Sequence, residues 1–283
     1  MIPAQFDYVR PGSVDEVVAA LGERGDDAKV LAGGQSLIPL LRLRLSYPEI
    51  LVDAAKVPEL TGVREDGHHL VIGAMTTHYQ VIKDPLIRQH CGLIAQATET
   101  VADPAVRHRG TFGGALAHAD PASDLPAVAL ALDAEMVVAG SGGRRTVPAS
   151  EFFVDYLQTA LAADELLVEI RVPKLGDGWG YHYEKFHRVA QSWAIVGVAA
   201  VARRSDGTIA EARVALTNMG ATPVRASGVE QAVSGAGLDG VAAAAERAAE
   251  GTSAPSDLNG KADYREHLAR VLTGRALTAA AGG

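Results

Sequence analysis

The sequence predicts a mixed protein of the α/β or α+β class, and two patterns lead to this prediction. Through most of the chain, short apolar runs typical of strands alternate with amphipathic segments typical of helices. Nearer the C-terminus, three apolar runs at 181–187, 194–202 and 210–217 are joined by short links, which indicates an antiparallel meander. Helical patterns then close the chain, so a β-sandwich is excluded.

The composition is typical of a soluble globular protein with two modest domains. The chain has 283 residues, of which 48% are hydrophobic and 21% charged, and no apolar run approaches the length that spans a membrane. The formal net charge of −8 argues against a nucleic-acid partner, because no basic stripe compensates for it. The N-terminus lacks a basic region followed by an apolar stretch, which favours a cytoplasmic location.

The cysteine count also excludes several kinds of site. Cys91 is the single cysteine of the sequence. A disulfide within the chain is therefore excluded. An iron–sulfur cluster or a structural zinc site held by this chain alone is excluded as well, because such sites take several thiolates.

The first predicted lobe, at about 1–54, is a small α/β unit. It opens with a capping box, in which Ser13 caps a helix and Glu16 reaches back to the start of that helix. A strand at 29–31, a helix that ends at about residue 44 and a strand at 50–52 complete this lobe.

The second predicted lobe, at about 55–173, holds a larger set of elements. These are a strand at 69–72, helices at 78–83, 86–101 and 125–132, a hairpin at 136–147 that turns at 141–143, and a strand at 166–172. The segment 173–180 is rich in glycine and is the best candidate for a domain boundary, so a C-terminal domain is expected over 178–283. Its helices are predicted at 224–233, 238–249 and 264–277, on one face of the meander.

The most informative stretch is 30–41, VLAGGQSLIPLL, where an apolar run stops at two glycines and an amphipathic segment follows. This pattern predicts a strand, a tight loop and a helix. Gly33 and Gly34 permit a positive φ and leave no Cβ between the main chain and a ligand. Gln35 and Ser36 add polar side chains at a helix N-terminus, where unpaired amides favour an anion such as a phosphate. For one such loop alone, an ordinary βα turn is the alternative.

A second glycine pair, Gly113 and Gly114, repeats the pattern 80 residues further along the chain. It lies in 109–117, RGTFGGALA, and the polar segment 118–127, HADPASDLPA, follows and leads into an apolar helix. Two loops of this kind would hold one diphosphate from both sides. The repeat therefore favours a nucleotide cofactor over two unrelated turns.

These residues resemble a known family. The segments AGGQS (32–36) and TFGGALAHADPASDLPA (111–127) are similar to the FAD-binding subunits of molybdenum hydroxylases, the family that includes xanthine dehydrogenase. The resemblance covers nearly the whole chain. It extends to IGAMTTH (72–78), LLVEIRVP (166–173), EKFHRVAQSWAIV (184–196), LTNMGATPVRA (216–226) and DYREHLARVLTGRAL (263–277). It implies an α+β fold with a two-lobed PCMH-type FAD-binding domain, followed by a three-stranded antiparallel sheet with helices.

The resemblance also implies where FAD is bound. By position, backbone contacts to the diphosphate and ribityl chain are expected from Ala32, Gly33, Gly34, Gln35, Ser36, Thr111, Phe112, Gly113, Gly114 and Ala115. Many relatives have His at position 35 and Asp or Asn at position 115. Those departures leave the backbone cradle intact but remove a side-chain contact at Ala115.

Three more residues are candidate FAD contacts. Asp124 is expected to accept a hydrogen bond from a ribityl or ribose hydroxyl, and the alternative is that Ser123 and Asp124 cap the following helix. Lys185 and Trp193 lie on a segment that in relatives comes near the isoalloxazine, where a cation and an indole would affect the ring. Packing of a strand with a solvated lysine is the alternative for both. His118 and Asp120 lack a third ligand at a suitable spacing, so no metal site is predicted.

The function implied by the resemblance is electron transfer through FAD, from iron–sulfur clusters on a partner to an external acceptor. An iron–sulfur small subunit and a molybdenum large subunit are the expected partners, as a dimer of heterotrimers. The turn 217–220 and the loop 118–121 are most similar to the carbon monoxide dehydrogenases of the family. Xanthine, aldehyde, nicotine and quinoline types are alternatives.

Two further functions belong to other classes. A nucleotide-binding scaffold that has lost its flavin would be colourless, and a free-standing FAD oxidase would bleach with its own substrate. For the acceptor, the resemblance to the carbon monoxide dehydrogenases favours a quinone. A Rossmann-type NAD site is not supported, because no Gly-x-Gly-x-x-Gly follows a strand.

Overall fold

The N-terminal lobe is a small parallel sheet with two helices. In this computed structural model, which describes residues 2–282, the strands are β1 (Asp7–Val9), β2 (Ala28–Leu31) and β3 (Ile50–Asp53), and the helices are α1 (Val14–Arg24) and α2 (Leu37–Leu43). The strand order is β1-β3-β2, and both pairings are parallel. The carboxyl end of β2 therefore leads into the first glycine pair at an edge of the sheet where ligands commonly bind in parallel sheets.

Helix α1 begins where the sequence predicts, although its capping differs in one contact. The Ser13 hydroxyl accepts a hydrogen bond from the Glu16 amide at 3.2 Å, as expected of the cap. The Glu16 carboxylate accepts instead from the amide of Gly12, at 2.6 Å, one residue before the predicted partner. The apolar stripe of the helix is buried, with Val17 and Leu21 packed against the sheet core.

The second lobe is built on an antiparallel sheet of five strands. These are β4 (Val63–Asp66), β5 (His69–Gly73), β6 (Glu135–Gly140), β7 (Gly143–Pro148) and β10 (Leu166–Pro173), in the order β4-β5-β10-β6-β7. A small separate hairpin is formed by β8 (Phe153–Asp155) and β9 (Gln158–Thr159). The predicted hairpin over 136–147 is confirmed as β6 and β7, since the polar turn between them closes at Gly143 with φ +103°.

Seven short helices complete this lobe. They are α3 (His78–Lys83), α4 (Pro85–His90), α5 (Gly92–Glu99), α6 (Pro104–Arg107), α7 (Phe112–His118), α8 (Asp124–Ala131) and α9 (Ala149–Phe152). The single helix predicted at 86–101 was wrong, because the chain leaves helical geometry at Cys91, where φ is −146° and ψ is 51°. The Cys91 side chain is buried, and burial raises the pKa of its thiol to about 11.

The C-terminal sheet is the predicted antiparallel meander with one short addition. Its strands are β11 (Trp179–Phe186), β12 (Val196–Ser205), β13 (Thr208–Thr217) and β14 (Val224–Arg225), in sequential order. The helices are α10 (Ser227–Val233), α11 (Val241–Ala245) and α12 (Ala262–Gly282). The helix predicted from 224 begins only at Ser227, because Val224 and Arg225 pair with β13 as β14.

The two faces of the C-terminal sheet are buried against different parts of the molecule. Val198 and Val214 belong to the cluster that the three C-terminal helices complete. Tyr183 and Val201 belong to the core of the second lobe, against α5 and α8. The meander thus presents one face of β11 to the second lobe, which brings distant sequence segments together. Across residues 2–282, no helix is both long and apolar enough to cross a membrane.

Candidate functional site

The structure brings the two glycine pairs into contact. We call residues 32–36 loop 1 and residues 109–115 loop 2. A Cβ added to Gly33 would overlap the carbonyl oxygen of Arg109 and would lie 2.7 Å from the Cα of Gly110. A Cβ added to Gly114 would lie 3.4 Å from the Cβ of Ala32. The two loops are therefore neighbours, as the repeated pattern predicts.

Loop 1 carries a run of backbone amides without protein partners. The amides of Gly33, Gly34, Gln35 and Ser36 donate to no acceptor in the part of the chain from 2 to 282. Gly34 is buried and has a φ of +74°, a left-handed conformation that glycine adopts without strain. Because a buried amide is normally paired, the unpaired amide of Gly34 fits an anionic ligand, to which the neighbouring amides would also donate.

The side chains of loop 1 contribute less than its main chain. Gln35 is exposed, and its side-chain amide donates back to the carbonyl of Gly33 at 3.1 Å. Ser36 makes no capping bond to helix α2. Loop 1 therefore offers mainly backbone donors to a ligand.

Loop 2 uses most of its amides inside the protein. Phe112 donates to the Thr76 carbonyl and Gly113 to the Ala74 carbonyl, each at 2.9 Å. Gly114 donates to the Thr111 hydroxyl oxygen and Ala115 to the Thr111 carbonyl, each at 3.1 Å. Since the Thr111 oxygen is the acceptor in its bond, the hydroxyl proton is left for a ligand.

Gly113 of loop 2 is packed closely against the protein itself. A Cβ on Gly113 would lie 2.6 Å from the Cα of Ala74, so this glycine permits close packing on strand β5 and the residue that follows it. Phe112 is buried in the core, so only its backbone lies in the loop. A side chain on Gly33 or Gly113 would therefore overlap protein backbone, whether or not a ligand is bound.

His78 contacts loop 2 through both its main chain and its ring. Its amide donates to the Gly110 carbonyl at 2.9 Å, and its ring lies against Gly110. The ring is buried, and its Nδ1 has no hydrogen-bond partner in the described part of the chain. Burial, helped by the positive charge of Arg107, lowers the pKa of His78 to about 4, so the ring is neutral at physiological pH.

Asp124 and Lys185, which the sequence suggests separately, form one buried ion pair. The Lys185 ammonium lies 2.8 Å from a carboxylate oxygen of Asp124, and the two side chains are 3% and 4% exposed. Lys185 also donates to the Thr100 carbonyl at 3.1 Å. The hydroxyl of Tyr183 donates to the other Asp124 oxygen at 2.6 Å. The ion pair links α8 to β11. The Ser123 side chain makes no capping bond to α8, and Lys185 is not solvated, so neither alternative reading of these residues is seen.

Burial dominates the electrostatics of this cluster. It raises the pKa of Asp124, while the Lys185 ammonium and the Tyr183 hydroxyl act in the opposite direction. Burial also raises the pKa of Tyr183 well above its usual value. Tyr183 was missed in the sequence, although a position two residues before Lys185 puts both side chains on the same face of β11.

Trp193 presents its indole to solvent. The side chain is 53% exposed in a segment between β11 and β12, so the ring is open to a ligand or a partner. Ser192, which precedes it, donates its amide to the Val189 carbonyl at 2.9 Å and closes a turn.

Known proteins match this chain over nearly its whole length. Residues 4–175 match the family described as FAD binding domain in molybdopterin dehydrogenase, and residues 181–280 match the CO dehydrogenase flavoprotein C-terminal domain. The carbon monoxide dehydrogenase medium chain of Hydrogenophaga pseudoflava is 45% identical over 282 residues, which cover 99% of this chain and 98% of that protein. The 6-hydroxypseudooxynicotine dehydrogenase complex subunit alpha of Paenarthrobacter nicotinovorans is 37% identical, with 99% and 96% covered.

A solved structure agrees in fold as well. Carbon monoxide dehydrogenase from Hydrogenophaga pseudoflava, in a form lacking the Mo-pyranopterin moiety, superposes with a TM-score of 0.97 at 46% identity and covers 99% of this chain and 98% of that one. The chain therefore belongs to the family of FAD-binding subunits of molybdopterin dehydrogenases. It is an oxidoreductase subunit, and the α+β fold class expected from the resemblance is confirmed.

Proposed function

We propose that this chain is the FAD-binding medium subunit of an aerobic carbon monoxide dehydrogenase. The observation that carries the proposal is the run of unpaired amides in loop 1, set against loop 2 in a chain that matches carbon monoxide dehydrogenase medium chains end to end. In this function the chain holds FAD and transfers electrons. Hydroxylation of the substrate takes place on a partner subunit.

The residues fit the diphosphate of FAD. The amides of Gly33, Gly34, Gln35 and Ser36 would hold the phosphate oxygens, and the Thr111 hydroxyl would donate from the opposite side. When bound, FAD takes up electrons one at a time from iron–sulfur clusters and delivers them in pairs. The chain itself binds and orients the cofactor.

Asp124, Lys185 and Trp193 would complete the site on the side of the C-terminal domain. The buried ion pair keeps the Lys185 cation of β11 beside the Asp124 carboxylate of α8. The indole of Trp193 offers an exposed aromatic face on which a flavin ring stacks. We include these three residues, with the ten loop residues predicted from sequence, in the proposed cofactor site.

The partners we propose are an iron–sulfur small subunit and a molybdenum large subunit, assembled as a dimer of heterotrimers. One cysteine cannot hold a cluster, so electrons must arrive from another polypeptide. We further propose a cytoplasmic location and a quinone as the final acceptor. The medium chain would then pass electrons from the clusters to the quinone.

The experiment that tests the function uses the complex purified through a tag on this chain. The reaction is CO + H₂O → CO₂ + 2H⁺ + 2e⁻, so carbon monoxide should bleach the visible flavin band of the complex in the absence of an acceptor. A colourless complex that cannot be reconstituted with FAD would contradict FAD binding. Bleaching by nicotine, quinoline or an aldehyde, but not by carbon monoxide, would instead identify another molybdenum hydroxylase.

The acceptor is tested separately. With carbon monoxide present, the complex should reduce a soluble quinone analogue and should not reduce NAD. Stoichiometric formation of NADH would overturn the quinone proposal and leave FAD binding intact.

A further inference from the structure

The turn that follows β13 contains a buried asparagine in a left-handed conformation. Asn218 has a φ of +62°, and few residues other than glycine and asparagine adopt this conformation readily. It lies directly after the last residue of β13, on the sheet that packs against the second lobe. The proposed function assigns this turn no role.

Asn218 is hydrogen-bonded to two segments that are distant in sequence. Its main-chain amide donates to the Pro121 carbonyl at 2.8 Å. Its side-chain amide donates to the Ala194 carbonyl at 2.7 Å. Pro121 lies three residues before Asp124, and Ala194 directly follows Trp193. One residue therefore sets the distance between the loop that leads to Asp124 and the segment that carries Trp193.

A second buried side chain holds the next carbonyl of the same segment. Arg265 of α12 donates to the Ile195 carbonyl, and its guanidinium also pairs with Asp257 at 2.8 Å. The Ile195 amide donates to the Phe186 carbonyl at 2.8 Å. The two residues that follow Trp193, Ala194 and Ile195, are thus both held by buried hydrogen bonds.

The N-terminal side of Trp193 is held more weakly. The exposed Gln191 side chain donates to the Asp103 carboxylate at 2.9 Å, across to the segment before loop 2. Exposed hydrogen bonds of this kind contribute little net stability, whereas buried ones fix geometry. The half-exposed indole therefore derives its position mainly from Asn218 and Arg265.

We propose that Asn218 is a positioning residue of the flavin site, which fixes the Trp193 indole relative to the Asp124 loop. The proposal rests on the proposed function for its ligand, because it takes Trp193 and Asp124 as parts of the FAD site. Its distinctive requirement is a side-chain donor on a residue with positive φ. Glycine has the conformation but no donor, and aspartate has the shape but only acceptor oxygens.

The test uses the full chain labelled with fluorotryptophan and observed by fluorine NMR. The protein contains two tryptophans, so Trp179 serves as an internal reference. Trp179 is the first residue of β11, and the guanidinium carbon of Arg213 lies 4.5 Å from the centre of its ring. Ala194, which Asn218 contacts, follows the other end of that strand. A Trp179→Phe variant assigns the two resonances.

In FAD-free protein, Asn218→Gly and Asn218→Asp should broaden or shift the Trp193 resonance and leave the Trp179 resonance unchanged. Loss of one buried hydrogen bond corresponds to a rise of roughly three- to tenfold in the population of displaced conformers. The control is Gln89→Glu, which also converts an amide to a carboxylate but at an exposed residue of α4; both resonances should stay in place.

FAD is then added to separate this proposal from the proposed function. Asn218→Gly should still bind FAD, because both loops are intact, but the visible band and midpoint potential of the flavin should differ from those of the native chain. An unchanged Trp193 resonance with an unchanged flavin band would overturn the proposal, and equal disturbance of both tryptophans would assign Asn218 a merely structural role. Failure of the native chain to bind FAD would overturn the proposed function, while the FAD-free spectra would still decide whether Asn218 positions Trp193.

Discussion

Loop 1 and loop 2 share a sequence pattern, yet their backbone amides have different partners. In loop 1, the amides from Gly33 to Ser36 have no acceptor among the described residues. In loop 2, the amides from Phe112 to Ala115 bond to protein oxygens. A repeated glycine pair therefore does not imply a repeated set of hydrogen bonds: the amides of loop 1 are free for a ligand, and those of loop 2 are bonded within the second lobe.

The elements around loop 2 extend this contrast. The His78 amide donates to the Gly110 carbonyl of loop 2. Asp124, further along the chain, forms an ion pair with Lys185 of the C-terminal domain. Changes on the loop 2 side should therefore act mainly on stability. Changes in loop 1 should act mainly on the affinity for FAD.

The largest expected effect is that of Lys185→Met. The substitution leaves the Asp124 carboxylate buried without its cation, which costs about 3–5 kcal/mol in the free energy of unfolding. Urea denaturation of the chain measures this loss. The double variant Lys185→Met with Asp124→Asn should recover most of it, and equal stability of the single and double variants would show that the unpaired Asp124 carboxylate does not cause the loss.

The next effect concerns pH and His78. The folded pKa of about 4 lies below the unfolded value of 6.5, so the unfolded chain binds more protons between these values. The contribution of His78 is therefore complete above pH 6.5 and is lost as the pH falls toward 4, by about 3 kcal/mol in total. His78→Phe removes this titration, so its unfolding free energy should fall less steeply over that range. An identical pH slope in both proteins would contradict the assignment.

A pair of alanine substitutions tests the contrast between the loops directly. Gly113→Ala forces a Cβ against the backbone of Ala74, which should lower the unfolding free energy by about 1–3 kcal/mol. Gly33→Ala forces loop 1 away from Arg109, which should weaken FAD binding by about tenfold or more with a smaller change in stability.

Gly142→Ala is the control for this pair. Its added Cβ would meet no atom within 4 Å, so stability and FAD binding should both stay unchanged. The two loops would prove equivalent if Gly33→Ala and Gly113→Ala lowered stability and FAD affinity in the same proportion. Titration with FAD and thermal unfolding of each variant supply both quantities.

The smallest effect is expected for Gln35→Ala. The lost bond is exposed and joins the side chain to the carbonyl of Gly33, so the unfolding free energy should change by less than about 0.5 kcal/mol. FAD binding should persist, because loop 1 acts through its main chain. A large loss of FAD affinity would show that the Gln35 side chain contacts the cofactor.

The elements that sequence predicted well have strong local signals. The strand before loop 1, the hairpin of β6 and β7 and the three long strands of the meander follow from apolar periodicity and turn residues. Strand β1 was missed, because its three residues gain their partner only from β3, more than forty positions away. The break at Cys91 was missed, although Gly92, which follows it, is a poor helix former and was a usable signal.

In the candidate site too, features with a local sequence signal were predictable and features that depend on distant partners were not. The contact between the loops was predictable, since a repeated motif suggests a shared ligand. The ion pair of Asp124 and Lys185 and the bonds of Asn218 were not, because each joins segments more than twenty residues apart whose spacing carries no signal. The partners of the loop 2 amides depend on the position of β5 and likewise require the fold.

The buried thiol of Cys91 has a practical consequence. With a pKa of about 11 and no exposed surface, it is protonated and inaccessible at neutral pH, and it is the only cysteine. Maleimide reagents should leave the native chain unlabelled. A cysteine introduced at an exposed position such as Leu258, which is 99% exposed, would then carry a fluorophore or spin label at a single known place, and distances from it to the flavin or to a partner subunit would be measured on the otherwise native chain.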